Sequence, residues 1–324
     1  METFLIKGPL TDQEVVSSFP LIHLIKERNP EAKISIVLDE GQNNLYNFLS
    51  FKVDVFFLPE SKSNLIGVHH FAVNLLEVFN VDIFIDLENS LKSSFLGFSF
   101  KAKHKLGYKK GMNSIFLSHK LESDDKKSND NDDEKFLKLF SSYVNKDYLD
   151  YKVKTFLEHK SKLDEKKNRE ILVVLSNTVD YKNELLKLFL EFEKKNFSIS
   201  LINKVNLIDS GDFLKELKAQ NSSNSFMPKN FLTFAELQVG IIESAIVITD
   251  IEWVSFISAY LGRDSFLLSR SNKDMPKFRY FESSPMRISF ESGSIILNME
   301  KENQKVSDIK GLVDFIHKFL DLKL

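Results

Sequence analysis

From Phe4 to Leu87, short runs of β-branched and aromatic residues alternate with longer amphipathic stretches. Strands are predicted at Phe4–Lys7, Ile34–Leu38, Val53–Leu58 and Val81–Leu87. Between them, Glu14–Arg28 and Ser63–Phe79 place apolar residues three and four apart, the spacing of helices with one buried face. Strand, helix and strand in repetition predict a parallel sheet joined by right-handed crossovers.

The alternation breaks at 122–135, where ESDDKKSNDNDDEK is too charged and too poor in apolar residues to pack and reads as a solvated loop. A helix over Glu134–Val144 and a polar stretch, His159–Arg169, lead into a second alternating series. Its strands are predicted at Ile171–Leu175, Ser198–Ile202, Ala245–Thr249 and Ser265–Leu268. Helices are predicted near Asn183–Lys195, Phe213–Gln220, Ala235–Glu243 and Trp253–Leu261. The final helix, Val306–Leu322, carries Ile309, Leu312, Val313, Ile316 and Leu320 at helical spacing. The expected organisation is α/β, with two Rossmann-like domains, 1–155 and 165–324, facing across a cleft. The last helix is a candidate to pack back on the first domain.

A length of 324 residues exceeds what one core usually serves, which agrees with two domains. Phenylalanine is heavily used, 30 residues against one tryptophan, and cysteine is absent, so neither disulfides nor thiol chemistry are available. A formal net charge of −2 gives no global field for holding nucleic acid. The start, METFLIKGP, lacks the pattern of a signal peptide, and no run of ~18 apolar residues occurs. A cytoplasmic protein, at most peripheral at the inner face of a membrane, is expected.

Open parallel sheets bind ligands at the carboxyl ends of their strands, which directs attention to the loops after Lys7, Leu38, Leu87, Leu175 and Thr249. No Gly-x-Gly-x-x-Gly follows a predicted strand, and neither a Walker loop nor a Gly-x-Ser-x-Gly elbow is present, against dehydrogenases, P-loop enzymes and serine hydrolases. His69 and His70 are adjacent on a predicted helix and so point to different sides, unlike paired metal ligands. No metal and no cofactor are expected.

Three segments carry a resemblance. Ile85, Asp86, Leu87, Ser90, Leu91, Lys92, Ser93, Gly107 and Tyr108 are similar to a strand ending Ile-Asp-Leu, then Ser-Leu-Lys/Arg-Ser, then Gly-Tyr. Pro20, Pro30, Ala32, Asp39 and Glu40 fit an opening strand, helix with central proline, and strand ending Asp-Glu. Glu236, Leu237, Ala259, Leu261 and Gly262 fit a Leu-x-Glu-Leu helix and a later helix ending Ala-Leu-Gly. Together these resemble the bacterial heptosyltransferases, glycosyltransferase family 9, whose two-domain arrangement is called GT-B.

The resemblance implies metal-independent transfer of a sugar from a nucleotide donor, with ADP-heptose expected, to a lipopolysaccharide core or related surface glycan. The family's base is an aspartate after a glycine in the first strand-to-helix loop. The aligned pair here is Gln13-Glu14, so Glu14 is the candidate, with Asp12 as substitute. Alternatively Asp12 caps the helix and Glu14 occupies its first turn, where negative charge is favourable. On the donor side, Thr178 and Lys182 map onto a polar loop and a phosphate-meeting lysine. Asp250-Ile251-Glu252-Trp253-Val254-Ser255-Phe256 stands where the family carries Asp-Ser/Thr-Gly-Pro-Met-His, so Asp250 and Glu252 are the donor-side acids and the glycine and histidine are lost. Lys101, Lys103, Lys105 and Lys109 are candidates for the acceptor's phosphates; alternatively they protect an exposed edge strand. These losses leave a second reading, a catalytically inactive relative that binds or scaffolds.

Overall fold

Apolar runs too short for helices set the first sheet. In the computed structural model, residues 1–62, 64–76, 80–122, 132–148, 151–153, 170–176, 182–205, 208–209, 226–230, 233–269, 286–291, 294–298, 303–306 and 308–323 are described. The chain divides into two compact units, Met1–Val153 and Lys154–Leu324.

In the first unit, β1 (Thr3–Lys7), β2 (Lys33–Asp39), β3 (Asp54–Leu58), β4 (Ile83–Asp86), β5 (His104–Lys109) and β6 (His119–Glu122) form one sheet of order β3-β2-β1-β4-β5-β6. All its pairings are parallel. Strand order reverses between β1 and β4, and there Lys7 lies opposite Asp86. Helices α1 (Asp12–Ser17), α2 (Phe19–Arg28), α3 (Leu65–Leu76), α4 (Leu91–Ser99) and α5 (Asp132–Val144) accompany it. Leu5, Val37 and Phe84 share one core with Val68, Phe71 and Ala72 of α3 and Leu96 of α4. On the other side, Phe4 meets Phe140 of α5 edge to face at 6.5 Å.

The single helix expected over Glu14–Arg28 is broken at Ser18. Pro20 has no N–H to give Val16, and it occupies the first turn of α2, the helical position that proline tolerates. The lysine-rich strand β5 is internal, paired with both β4 and β6, so the edge-strand reading of its lysines is wrong. The missed β6 follows a 3-10 turn, Gly111–Phe116, rather than a helix, which weakened its sequence signal.

The second unit builds a nine-stranded sheet from β7 (Glu170–Val174), β8 (Ser198–Val205), β9 (Ile208–Asp209), β10 (Phe226–Asn230), β11 (Ile246–Thr249), β12 (Ser265–Ser269), β13 (Met286–Glu291), β14 (Ser294–Asn298) and β15 (Asn303–Val306). Its order is β10-β8-β7-β11-β12-β13-β14-β15, with β9 paired to β8. The run from β10 to β13 is parallel and β13-β14-β15 is an antiparallel meander. Helices α6 (Lys182–Lys194), α7 (Phe234–Glu243), α8 (Glu252–Tyr260) and α9 (Ile309–Lys323) flank it. Leu312, Val313 and Ile316 of α9 join Leu185, Leu188 and Phe192 of α6 in the core. Lys195 and Asp314 add an ion pair of 2.8 Å. The helix predicted at Phe213–Gln220 and most of the charged loop lie outside the described residues.

Candidate active site

The carboxyl ends of β1, β2 and β4 carry a chain of charges at the point where strand order reverses. Lys7 ends β1 wholly buried, its Nζ 2.8 Å from Glu88 Oε2 and 3.5 Å from Asp39 Oδ1, and it donates to the Gly8 carbonyl at 3.2 Å. Asp39 ends β2 and also meets Lys92 Nζ at 3.2 Å. Glu88 is nearly buried. Its Oε1 accepts from Ser90 at 2.6 Å, whereas Oε2 faces Lys7 as an ion pair without an aligned hydrogen bond. A buried lysine is tolerated only where opposite charge compensates its lost hydration, and two carboxylates do so here.

Asp86 fixes the loop that presents Glu88. It is fully buried and accepts from Ser94 Oγ (2.5 Å), Ser93 Oγ (2.9 Å) and Asn89 N (2.9 Å). Burial pushes its carboxyl up to about 6, against the pull of those hydrogen bonds. Asn89 holds φ at +58°, a left-handed turn that asparagine accepts readily, and its Oδ1 takes the Tyr108 N–H at 3.0 Å. The Ser-Leu-Lys-Ser signature is therefore a helix start: Ser90 caps α4 and Ser93 closes a capping box.

The first strand-to-helix loop is bound to the second. Gln42 takes the Asp39 N–H at 2.7 Å and donates to the Pro9 and Leu10 carbonyls at 3.0 and 2.8 Å. Gly8 follows β1 closely against β2: its N–H donates to the Val37 carbonyl at 2.9 Å, and a Cβ there would lie 2.7 Å from Leu38 Cδ2. Thr11, rather than Asp12, caps α1. Glu14 completes its capping box, with Oε2 accepting from Thr11 Oγ1 at 2.8 Å and Thr11 N at 3.2 Å. Asp12, half-buried, accepts from Asn43 Nδ2 at 2.8 Å, and burial raises its carboxyl above the usual aspartate range.

The lysines of β5 do not converge. Lys103 pairs with Asp82 at 2.6 Å and Lys105 donates to the Ala102 carbonyl at 2.7 Å, both toward the strand's amino end, where Lys101 also lies. Lys109, at the carboxyl end, pairs with Glu122 at 2.8 Å. The six residue-to-residue steps from Lys103 to Lys109 span about 20 Å of extended chain.

In the second unit the corresponding reversal lies between β7 and β11. Asp250, just past β11, receives the Ser176 N–H at 2.7 Å and the Ser176 hydroxyl at 2.6 Å, so it holds the loop after β7. Glu252 opens α8, whose preceding residue, Ile251, supplies no side-chain cap. Burial raises the Glu252 carboxyl and the positive Arg287 opposes that rise. Trp253 meets Phe234 edge to face at 6.0 Å. Thr178 lies outside the described residues, as does the side chain of Lys182, the first residue of α6. Among the described residues no three metal-ligating side chains cluster.

Lys7 and Glu88 were missed by sequence reasoning. The available signal was a lysine closing the apolar strand Phe4–Lys7, at the end where such sheets bind ligands.

The family model for glycosyltransferase family 9 (heptosyltransferase) matches residues 71–191, across the end of the first unit and the start of the second. No curated protein matches the chain in sequence. Among solved structures, the glycosyl transferase family 9 protein from Veillonella parvula superposes with a TM-score of 0.69 at 12% identity, over 90% of this chain and 86% of that one. Heptosyltransferase WaaC of E. coli with ADP gives 0.68 at 13%, covering 99% of this chain and 100% of that one. E. coli ADP-heptose lps heptosyltransferase II gives 0.68 at 13%, covering 100% and 99%. Residues 71–191 are thus similar to glycosyltransferase family 9, and the two-unit α/β fold is similar to that of the solved heptosyltransferases.

Proposed function

We propose that the chain is a glycosyltransferase that moves a sugar, with ADP-heptose the expected donor, onto a lipopolysaccharide core or related surface glycan. The observation that carries the proposal is the half-buried Asp12 carboxylate in the loop after β1, on a fold whose solved relatives include a heptosyltransferase with ADP. In this reading Asp12 takes the proton of the attacking hydroxyl. Its raised affinity for protons suits a base, and Asn43 holds one of its oxygens in place. Glu14 is the substitute, but its Oε2 is committed to the Thr11 cap.

On the donor side, Thr178 and Lys182 meet the diphosphate and Asp250 shapes the loop through Ser176. A carboxylate is a poor neighbour for phosphate, so Glu252 is assigned to donor hydroxyls, which it serves as acceptor. Lys109, alone of the four acceptor candidates, stands at the carboxyl end of β5.

A second reading is favoured by Glu252 and Trp253 at the start of α8, where a close approach to phosphate would need small, uncharged residues. In that case the chain binds a nucleotide sugar or a partner transferase without turnover. Single-turnover assay of Asp12→Asn and Glu14→Gln beside the wild type separates the readings. Transfer by the wild type, lost in folded Asp12→Asn and kept in Glu14→Gln, supports the first; a wild type that binds donor without transfer supports the second.

A further inference from the structure

Among the described helices of the first unit, large apolar side chains are exposed on one layer. Ile66 on α3, Phe98 on α4, and Met112 and Ile115 in the turn Gly111–Phe116 are exposed by 72%, 53%, 70% and 72%. Helices α1, α2 and α5, on the other side of the sheet, expose none. Helix α4 and the turn are joined: the rings of Phe95, Phe98 and Phe116 lie 5.9, 5.2 and 5.4 Å apart across them. Large exposed apolar patches mark a surface that meets something other than water.

Charge selects the partner. From Leu91 to Lys120 the sequence holds seven lysines and two histidines and no acidic residue, in a chain of net charge −2. Lys92, Lys103 and Lys109 are neutralised by Asp39, Asp82 and Glu122. Lys101, Lys110 and Lys120 face no carboxylate among the described residues, and each adjoins the apolar patch. Lys101 N donates to the Phe98 carbonyl at 2.9 Å, Lys110 precedes the turn, and Lys120 Nζ reaches the Ser114 carbonyl within it at 3.4 Å.

We infer that this face docks on the surface of an anionic lipid bilayer, with Phe98, Met112 and Ile115 entering the headgroup boundary and the three lysines meeting lipid phosphates. Lysine is depleted from protein–protein interfaces, whereas aromatic and aliphatic residues ringed by lysine suit a mobile negative surface. The inference does not rest on the transferase reading, because vesicle binding requires neither donor nor turnover.

Co-sedimentation of the full chain with phosphatidylcholine vesicles, with and without phosphatidylglycerol, tests it. Binding is expected only to the anionic vesicles, and it should weaken with added salt. Lys101→Glu with Lys110→Glu should reduce partitioning by at least about fivefold per lysine, and Met112→Ser with Ile115→Ser should lower it at unchanged thermal stability. Absence of binding by the wild type, or equal binding by both folded variants, overturns the inference. So does a concentration-dependent dimer that Met112→Ser with Ile115→Ser dissolves, since the face would then cover a second copy.

Discussion

Lys7 Nζ stands 2.8 Å from Glu88 Oε2 with no exposure to solvent, so the residue ending β1 and the residue two past the end of β4 neutralise each other inside the fold. The pair joins the two strands at which sheet order reverses, and through Asp39 it extends to Lys92 at the start of α4.

Removing one charge strands the other. Lys7→Met should cost about 3–5 kcal/mol, because Glu88 loses its cation in a nearly dry site. Adding Glu88→Gln should recover much of that loss, a coupling measurable by urea denaturation of the four proteins. Additive costs would contradict the pairing.

Asp86 makes stability depend on pH. Its proton is held more tightly in the folded chain, at about 6, than in the unfolded chain, near 3.8. The folded state therefore binds more protons between those values, and this group's contribution makes stability fall as pH rises from about 4 to 6. Asp86→Asn should remove that contribution, changing its stability relative to wild type by up to about 3 kcal/mol between pH 4 and 7. A difference independent of pH would show that Asp86 is not the group responsible.

Gly97 on α4 packs directly on β4. A Cβ there would lie 2.2 Å from Phe84 Cδ1, so Gly97→Ala should destabilise by about 1–3 kcal/mol despite alanine's better helix propensity. Thermal melting of that variant decides between clash and propensity, and a raised melting temperature would sink the packing account.

Asp250→Ala leaves the Ser176 N–H without its acceptor and should cost about 1–3 kcal/mol. Amide exchange at Ser176 should speed up while exchange in α9, packed on α6, changes only by the global loss. Unchanged exchange at Ser176 would mean that the carboxylate does not hold the loop.

Periodicity made the parallel strands and their helices legible, because buried strands such as Ile246–Thr249 are continuous apolar runs bounded by polar turns. It missed β13 to β15, a meander whose short strands carry polar residues such as Arg287 and Gln304. The acids of the first loop were visible, but which one caps was not. Thr11 and Asp12 are both good caps, and only the backbone geometry shows that Thr11 receives the Glu14 N–H. The charges at β1 and β4 were hidden for another reason: Lys7 and Glu88 are far apart in sequence, and their pairing follows from strand order.

Whether the chain holds a nucleotide sugar, as proposed, is decided by titration calorimetry of the folded protein with ADP-heptose, followed by UDP-, GDP- and CMP-linked sugars. Saturable binding of one of these donors, weakened by Asp250→Ala, is the expected result. A folded protein that gives no saturable heat, released or absorbed, with any of them would overturn the proposal.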